Sequence, residues 1–366
     1  MLWIFWTLMI LYAVCLGLIA SKWVVFEEEN DFSLEPSVSV LVPFRDEADN
    51  LHNMVRVLQK QAYPNFEVVF INDHSTDNSQ EVLEKALSAV KFDYKLLTSE
   101  GEGKKSAIAS GVNQAKGEIV LTTDADCTFG EFWISTMAAA FVSEEVQMVS
   151  GPVRLTGTSV FERWQQMESM VLVATGAAMI RFGFPGMANG ANLAYRKSAF
   201  EAVNGFENID QTPSGDDELL MMKMNEAYPN GITYCNAKEA IVGTRALSGW
   251  REFKNQRLRW ASKWKVGSRL SIRLVALFVF VFHLAYLLMP FAWLADFIST
   301  DTLVSLITAR VTLELGLVYY LGSFFKIPLA VRAFALHHIF YPLYAIYFGL
   351  AANFGTYTWK GRVFKA

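Results

Sequence analysis

Asp124 and Asp126, which are separated by one residue, have the side-chain chemistry and the spacing to bind a divalent cation. They follow the apolar run Ile119 to Leu121, which is typical of a buried strand. Ligands of open α/β sheets bind outside the carboxyl ends of the strands, where carboxylates can hold a metal together with a diphosphate. Paired aspartates at a strand end also serve as turn or helix-cap residues, so their surroundings must decide between the two roles.

A second acidic cluster, Ser214-Gly215-Asp216-Asp217-Glu218, precedes the apolar run Leu219 to Met222. Acidic residues at the start of a helix satisfy its free N–H groups and interact favourably with its dipole. Three consecutive acids after a glycine exceed what capping needs, and a carboxylate here has the chemistry of a general base. The spacing alone leaves both interpretations open.

Repeated strand–helix units are expected to position these acids. The strands are expected at Val38 to Val42, Val68 to Ile71, Tyr94 to Leu97 and Ile119 to Leu121. This alternation predicts an α/β fold with a mostly parallel sheet and helices on both faces. Polar loops around Glu47, Asp73 and Asp124 then lie along one edge of the sheet. This favours a nucleotide pocket, although any α/β domain gathers polar loops at that edge.

The composition indicates a folded domain joined to membrane segments. Hydrophobic residues make up 52% of the 366 residues, which is high for an ordinary soluble protein. The formal net charge of -4 argues against a nucleic-acid-binding protein. Cys15, Cys127 and Cys235 have no CxxC spacing, which argues against a disulfide framework or zinc site and fits a reducing compartment.

Four apolar runs have the length of roughly 20 residues, or slightly more, that a helix needs to cross a bilayer. Residues 2–20 carry no charge, and Lys22 after them places that end in the cytoplasm. The other runs cover about 274–298, 303–325 and 333–354. Three complete C-terminal spans would put the basic tail outside the cell. Either the positive-inside rule fails there, or one run is re-entrant or interfacial. Arg310 and Glu314, inside the second of these runs, are expected to form an i,i+4 ion pair.

Residues 244–265 combine aromatic residues at helical spacing with many basic residues. Trp250, Phe253, Trp260 and Trp264 recur along this segment, and lysines and arginines crowd between them. This pattern predicts an amphipathic helix that lies in a membrane interface. A solvated basic helix face is the alternative, which the aromatic residues disfavour.

These features predict how the chain is organised. An N-terminal transmembrane helix is expected over residues 1–22, and the acidic stretch Glu27 to Pro36 is expected to be a linker. The remaining predicted regions are a cytoplasmic α/β domain over 37–243, an interfacial helix region over 244–271, transmembrane helices over 272–355 and a basic tail over 356–366.

Together the motifs resemble the membrane-embedded family 2 glycosyltransferases with a GT-A fold, the group of cellulose, chitin and hyaluronan synthases and ceramide glucosyltransferase. The resemblance covers Val38 to about Lys265, and its last motif matches the family's (Gln/Arg)-x-x-Arg-Trp signature. Asn72 and His74 depart from it, since the family often has Asp and Gly there. The motifs are Val42-Pro43-Phe44-Arg45-Asp46-Glu47, Asn72-Asp73-His74-Ser75-Thr76-Asp77, Gly103-Lys104, Asp124-Ala125-Asp126, Gly215-Asp216-Asp217 and Gln256-Arg257-Leu258-Arg259-Trp260.

The resemblance implies a role for each matching residue. Glu47 and Asp73 would contact the uridine of a nucleotide sugar, and Lys104 would lie near its phosphates. Asp124 and Asp126 would hold Mg2+ or Mn2+ on the diphosphate. Asp217 would be the catalytic general base. The residues expected under the donor diphosphate and the acceptor are Gln256, Arg259 and Trp260.

The resemblance also implies an activity, a location and partners. The expected reaction moves a sugar, with inversion, from a nucleoside-diphosphate sugar such as a UDP-sugar to a lipid or lipid-linked acceptor. A processive polysaccharide synthase is the alternative, although four spans at most are few for a glycan channel. A non-catalytic nucleotide-sugar-binding scaffold is a further alternative, which the intact acidic motifs disfavour. The expected location is the cell membrane, multi-pass, with the catalytic domain in the cytoplasm and no nucleic-acid partner.

Overall fold

The computed structural model describes residues 2–23, 35–210, 215–262, 270–351, 354–359 and 362–365. The chain divides into two compact units. The sheet unit comprises Val24–Leu155 and Thr175–Arg245, and the helical unit comprises Met1–Trp23, Thr156–Ala174 and Ala246–Ala366. Outside the described residues lie most of the predicted linker, Ser214, the basic and aromatic residues 263–269, and residues 360, 361 and 366 of the predicted basic tail.

Seven strands form the main sheet of the sheet unit, in the order β3-β2-β1-β4-β7-β5-β8. The first four strands in that order are mutually parallel, and β7 is antiparallel to both of its neighbours. The prediction of an α/β fold with a mostly parallel sheet is confirmed. The strands are β1 (Val38–Phe44), β2 (Phe66–Asn72), β3 (Asp93–Thr98), β4 (Ile119–Thr122), β5 (Met148–Ser150), β7 (Leu193–Arg196) and β8 (Ile232–Tyr234), with β6 (Val153–Thr156) and β9 (Val242–Arg245) in a separate pair.

Helices cover both faces of this sheet, which explains why all seven residues of β1 are buried. On one face, Val40 of β1 belongs to a core with Leu51 and Leu83 from two helices. On the other face, a Cβ atom at Gly111 would lie 3.0 Å from Ile71 Cδ1. The helices of the sheet unit are α2 (Ala48–Leu58), α3 (Ser79–Leu87), α4 (Lys104–Gln114), α5 (Trp133–Ala139), α7 (Lys197–Ala202) and α8 (Glu218–Ala227).

The register of the parallel strands brings their carboxyl ends together. Phe44 at the end of β1 pairs with Asn72 at the end of β2, and Leu41 of β1 pairs with Thr122 at the end of β4. The loops after these three strands therefore share one edge of the sheet, as the sequence predicts.

Within the described part of the helical unit, four helices are long and apolar enough to cross a membrane: α1 (Leu2–Lys22), α10 (Leu270–Leu294), α11 (Thr300–Phe325) and α12 (Val331–Ala351). The predicted pair is confirmed, since Arg310 Nε donates to Glu314 Oε1 at 2.7 Å. Tyr12 and His338 also bond to the Glu314 carboxylate, at 2.8 and 2.9 Å. Helix α6 (Val160–Arg181) belongs to this unit through residue 174, and α9 (Trp250–Ser262) lies wholly within it.

The tail that follows α12 forms an antiparallel hairpin of β10 (Thr356–Trp359) and β11 (Arg362–Lys365). Tyr357 is buried, and the N–H of Thr358 donates to Asn255 Oδ1 of α9 at 3.4 Å. The hairpin therefore packs against α9.

Candidate active site

Lys104 connects two acidic motifs that are far apart in the sequence. Its Nζ lies 2.6 Å from Asp124 Oδ1 and 3.2 Å from Asp216 Oδ2. The backbone before it is fixed, because Gly103 has a φ of 95° and donates its N–H to Asp73 Oδ1 at 2.8 Å. A left-handed φ of this kind favours glycine, which explains the Gly-Lys pair at the start of α4.

The acidic surroundings determine the charge state of Lys104. Burial by itself would lower its pKa, but the negative charges of Asp124, Asp216 and Asp217 outweigh that effect and raise the pKa above its usual value. Lys104 is therefore a permanent ammonium ion at neutral pH.

The two aspartates at the end of β4 are accessible to a ligand. Asp124 is partly exposed and Asp126 is exposed. Asp126 Oδ2 accepts a hydrogen bond from Thr244 Oγ1 at 2.9 Å, and the turn is closed by Cys127 N–H donating to the carbonyl of Asp124 at 3.1 Å. This turn presents both carboxylates at the strand end.

The donor set of these aspartates fits Mg2+ or Mn2+. Among the described residues, no three Asp, Glu, His or Cys side chains converge to form a cation cage. Two carboxylates are nevertheless sufficient for a hard cation that takes its other ligands from water and from the phosphates of a nucleotide. Asp124 and Asp126 therefore suit a metal that binds jointly with a diphosphate.

Asp217 caps helix α8 and also reaches the loop before β7. Its Oδ1 accepts from the N–H of Glu218 at 2.7 Å, and its Oδ2 accepts from the N–H of Gly190 at 3.3 Å. The carbonyl of Gly190 in turn accepts from Thr122 Oγ1 at 2.9 Å, which ties this loop to the end of β4. The capping role proposed from the sequence is thus present, and the carboxylate also lies beside the Lys104 cluster.

Gly190 leaves room for the cluster. A Cβ atom at this position would lie 2.7 Å from Asp216 Oδ2 and 3.1 Å from Lys104 Nζ. The backbone of residue 190 therefore forms a wall of the space in which the ammonium and the Asp216 carboxylate meet.

Hydrogen bonds hold together the loops after β1 and β2. Asp46 Oδ1 accepts a hydrogen bond from the N–H of Thr76 at 2.7 Å, and this bond lowers the pKa of Asp46. The N–H of Glu47 donates to Ser79 Oγ at 2.8 Å, and the Glu47 carboxylate accepts from Asn50. Glu47 and Asp73 are thus on neighbouring, interlocked loops.

Asn72 and His74, the two residues that depart from the family motif, determine the conformation of the loop after β2. Asn72 Oδ1 accepts from the N–H of Ser75 at 2.8 Å, and His74 has a φ of 55°. A left-handed φ explains why glycine suits the position of His74.

The last motif belongs to the helical unit, on α9. Its Arg257 is buried and forms an ion pair with Glu168 of α6. The guanidinium carbon lies 4.4 Å from the ring centroid of Phe253 and 4.3 Å from that of Trp260, and Arg257 Nη1 donates to Gln256. Arg257 therefore orders two neighbours that the resemblance places near the substrates.

The structure thus brings Lys104 and Asp124 into contact and places Asp217 beside them. The proposed roles of Gln256, Arg259 and Trp260 under the donor remain predictions. The sequence did not single out Asp216 or Gly190, although Asp216 belongs to the acidic triplet and Gly190 lies in a glycine-rich stretch.

Comparisons with known proteins find similar glycosyltransferases. The model of the family "Glycosyl transferase family 2" matches residues 39–203. The glycosyltransferase AglE of Haloferax volcanii is 26% identical over 178 residues, covering 47% of this chain and 57% of AglE. The undecaprenyl-phosphate 4-deoxy-4-formamido-L-arabinose transferase of Pseudomonas savastanoi pv. phaseolicola is 32% identical over 174 residues, covering 45% of this chain and 49% of that enzyme.

A solved structure extends the likeness in fold over most of the chain. The mannosyltransferase PcManGT from Pyrobaculum calidifontis, in complex with GDP-Man and Mn2+, superposes with a TM-score of 0.57 at 16% identity, covering 95% of both chains. The chain spans about half the length of the curated relatives it matches. The strand order agrees with this likeness in fold, and residues 39–203 are the part of the chain that the family 2 glycosyltransferase model matches.

Proposed function

We propose that this protein transfers a sugar, with inversion, from a nucleoside-diphosphate sugar to a hydroxyl group of a lipid or lipid-linked acceptor. The observation that carries the proposal is the cluster of Lys104, Asp124, Asp216 and Asp217 at the carboxyl edge of the sheet. It combines a cation for phosphates, a carboxylate suited to a metal and a carboxylate suited to general-base catalysis.

The donor half of the reaction depends on neutralising the leaving group. Asp124 and Asp126 would hold Mg2+ or Mn2+ against the diphosphate, and the bound cation would supply positive charge there. Lys104 adds a fixed ammonium beside Asp124. A preorganised positive charge stabilises the negative charge that develops on the departing nucleoside diphosphate, so Lys104 contributes to the rate of sugar transfer.

The acceptor half depends on Asp217. A sugar or lipid hydroxyl is a weak nucleophile, and a carboxylate that removes its proton in the transition state contributes about 100- to 10,000-fold to the rate. Direct attack with one base and no covalent enzyme intermediate inverts the anomeric carbon.

A lipid acceptor agrees with the apolar helices. Four of the described helices have the length and composition of membrane spans, so the chain itself can be anchored in a membrane that holds a lipid acceptor. The named substrate of the relative from Pseudomonas savastanoi is a lipid phosphate, undecaprenyl phosphate. We place the protein in the cell membrane, with the sheet unit in the cytoplasm. Lys22 and the basic residues after α11 favour that orientation, because basic residues next to membrane spans lie mostly on the cytoplasmic side.

Sugar transfer can be tested in membranes that contain the protein. Membranes are incubated with a panel of radiolabelled nucleotide sugars, and lipids are then extracted. Label in the lipid fraction is expected with one of the donors, and an Asp124→Ala variant should show none. Label in an insoluble polymer would instead identify a processive synthase, and absence of label from every fraction would contradict the proposal.

Asp217→Asn separates catalysis from capping. Asparagine is as good an N-cap as aspartate, so helix α8 should be retained. The variant is expected to lose about 100-fold or more of the transfer rate while nucleotide affinity, measured by calorimetry, stays within about twofold. A variant that keeps most of its activity would indicate an acceptor that needs no deprotonation, such as a lipid phosphate, and would overturn the general-base role.

A further inference from the structure

The ammonium group of Lys104 lies where it interferes with a metal. It is 2.6 Å from Asp124 Oδ1, at the carboxylate that the proposed function assigns to Mg2+ or Mn2+. A divalent cation at that carboxylate would be close to a permanent positive charge, and like charges at such separations repel strongly. In the metal-free protein, Lys104 therefore supplies the positive charge that Asp124 requires.

Asp216 gives the ammonium a second carboxylate to bind. Its Oδ2 is 3.2 Å from Lys104 Nζ, and the Asp216 side chain is considerably less exposed than that of Asp124. The aliphatic part of the lysine side chain has several rotatable bonds, so a small rotation can move the ammonium from one carboxylate to the other. The absence of a side chain at Gly190 allows the ammonium and the Asp216 carboxylate to approach this closely.

We propose that Lys104 is a built-in counter-cation of Asp124, and that Asp216 is the positioning residue that retains the ammonium when a divalent cation binds to Asp124. This inference rests on the proposed function, because it requires Asp124 to be a metal ligand. It adds a coupling between two binding events. The metal must displace the ammonium, and the displaced ammonium is then available to the phosphates of the nucleotide.

The coupling predicts opposite effects on the metal and on the nucleotide when Lys104 is replaced. Without the ammonium, Asp124 is free for the metal, so Mn2+ alone should bind more tightly. Without the ammonium, the phosphates lose a charge-assisted contact, so a nucleotide should bind more weakly when Mn2+ is saturating. A variant that is merely damaged would weaken both.

The experiment measures Mn2+ binding to the purified full-length protein in detergent, by the loss of the electron paramagnetic resonance signal of free Mn2+. Lys104→Met is compared with wild type and with Lys85→Met, which removes the same charge from an exposed position on α3. Lys104→Met is expected to bind Mn2+ about tenfold more tightly than wild type. Lys85→Met should match wild type. Calorimetry with UDP and with GDP at saturating Mn2+ measures the opposing effect on the nucleotide.

Asp216 is tested by a double-mutant cycle. Asp216→Asn should weaken Mn2+ binding more strongly in the wild-type background than in the Lys104→Met background, because only the former has an ammonium that returns to Asp124. Equal effects in both backgrounds would overturn the role of Asp216.

The outcomes distinguish this inference from the proposed function. If wild type binds Mn2+ together with UDP or GDP but Lys104→Met binds Mn2+ no more tightly than Lys85→Met, the counter-cation role is wrong and the proposed metal site stands. If wild type shows no Mn2+ binding even with nucleotide, both the metal site and the counter-cation role are overturned.

Discussion

Gly190 shows how a residue without a side chain can control charged neighbours. Its backbone N–H reaches Asp217, and its Cα hydrogen faces Asp216 and Lys104. An added methyl group would come within 2.7 Å of Asp216 Oδ2, so the carboxylate would have to move. Since the φ of residue 190 is not left-handed, the effect of a methyl group would arise from the cluster rather than from backbone strain.

Gly190→Ala is therefore expected to reduce the transfer rate by about tenfold to 100-fold, because displacement of catalytic groups by about 1 Å has effects of that size. The thermal unfolding temperature should change by only a few degrees. Gly130→Ala is the matched control, since a Cβ atom there would have no heavy atom within 4 Å. Equal activity of the two variants would contradict a role for Gly190 in the cluster.

The sequence identified single residues of this site better than it identified their contacts. Lys104, Asp124 and Asp217 were recognisable because each follows a strand or begins a helix within an ordered set of motifs. The contact between Lys104 and Asp216 was not, because it depends on the side-chain conformation and on how the loop before β7 passes the end of β4. Periodicity carries no information about either.

Among the elements, α9 depends on a buried ion pair. Arg257 bonds to Glu168 and is stacked between the rings of Phe253 and Trp260. Burial by itself would lower the pKa of Arg257, but the charge of Glu168 outweighs that effect and raises it. Guanidinium is well suited to this position because it is planar and can bond and stack at the same time.

Arg257→Lys should consequently destabilise the protein although the charge is kept. The loss of stacking and of charge-assisted hydrogen bonds is expected to cost about 1–3 kcal/mol, visible as a lower unfolding temperature in detergent. Arg251→Lys, at an exposed position of the same helix, is the matched control and should have little effect. Equal shifts for the two variants would show that the buried pair does not stabilise α9.

Some of the strands and helices could be predicted from the sequence and others could not. The four parallel strands and the helices between them were expected, because strands and helices alternate regularly and three of the strands are strongly apolar. The later strands were not expected, since β5 to β9 have only three or four residues each and, unlike the equally short β4, do not belong to the regular alternation of strands and helices. The antiparallel position of β7 between β4 and β5 is a tertiary feature that no local pattern encodes.

At the scale of the whole chain, the course of α12 bears on the topology of the helical unit. Helix α11 is antiparallel to α10, because Arg310 stacks on Tyr286 while Thr300 bonds to Trp293. A third consecutive crossing would have to run parallel to α10.

The contacts of helix α12 follow α10 in the opposite order and advance along it slowly, so α12 crosses α10 obliquely. Its His338 bonds to Tyr286, its Tyr341 packs against His283, and its Gly349 lies against Phe280. Near its end, Tyr344 packs against Phe253 of α9. The end of α12 therefore lies against the middle of α10 and packs on α9. This geometry differs from that of a third complete crossing, and it favours the re-entrant or interfacial interpretation of the last apolar run. In that interpretation the basic tail is expected on the side that the positive-inside rule requires.

Cysteine labelling in sealed vesicles would test this topology. In a background without the three native cysteines, Thr356→Cys in the hairpin should react with a membrane-impermeant maleimide from the same side as Arg251→Cys on α9. Asp296→Cys, between α10 and α11, should react from the opposite side. These positions are exposed, so the accessible side and not burial decides the result. Labelling of Thr356→Cys together with Asp296→Cys would show that α12 crosses completely and that the hairpin does not pack against α9.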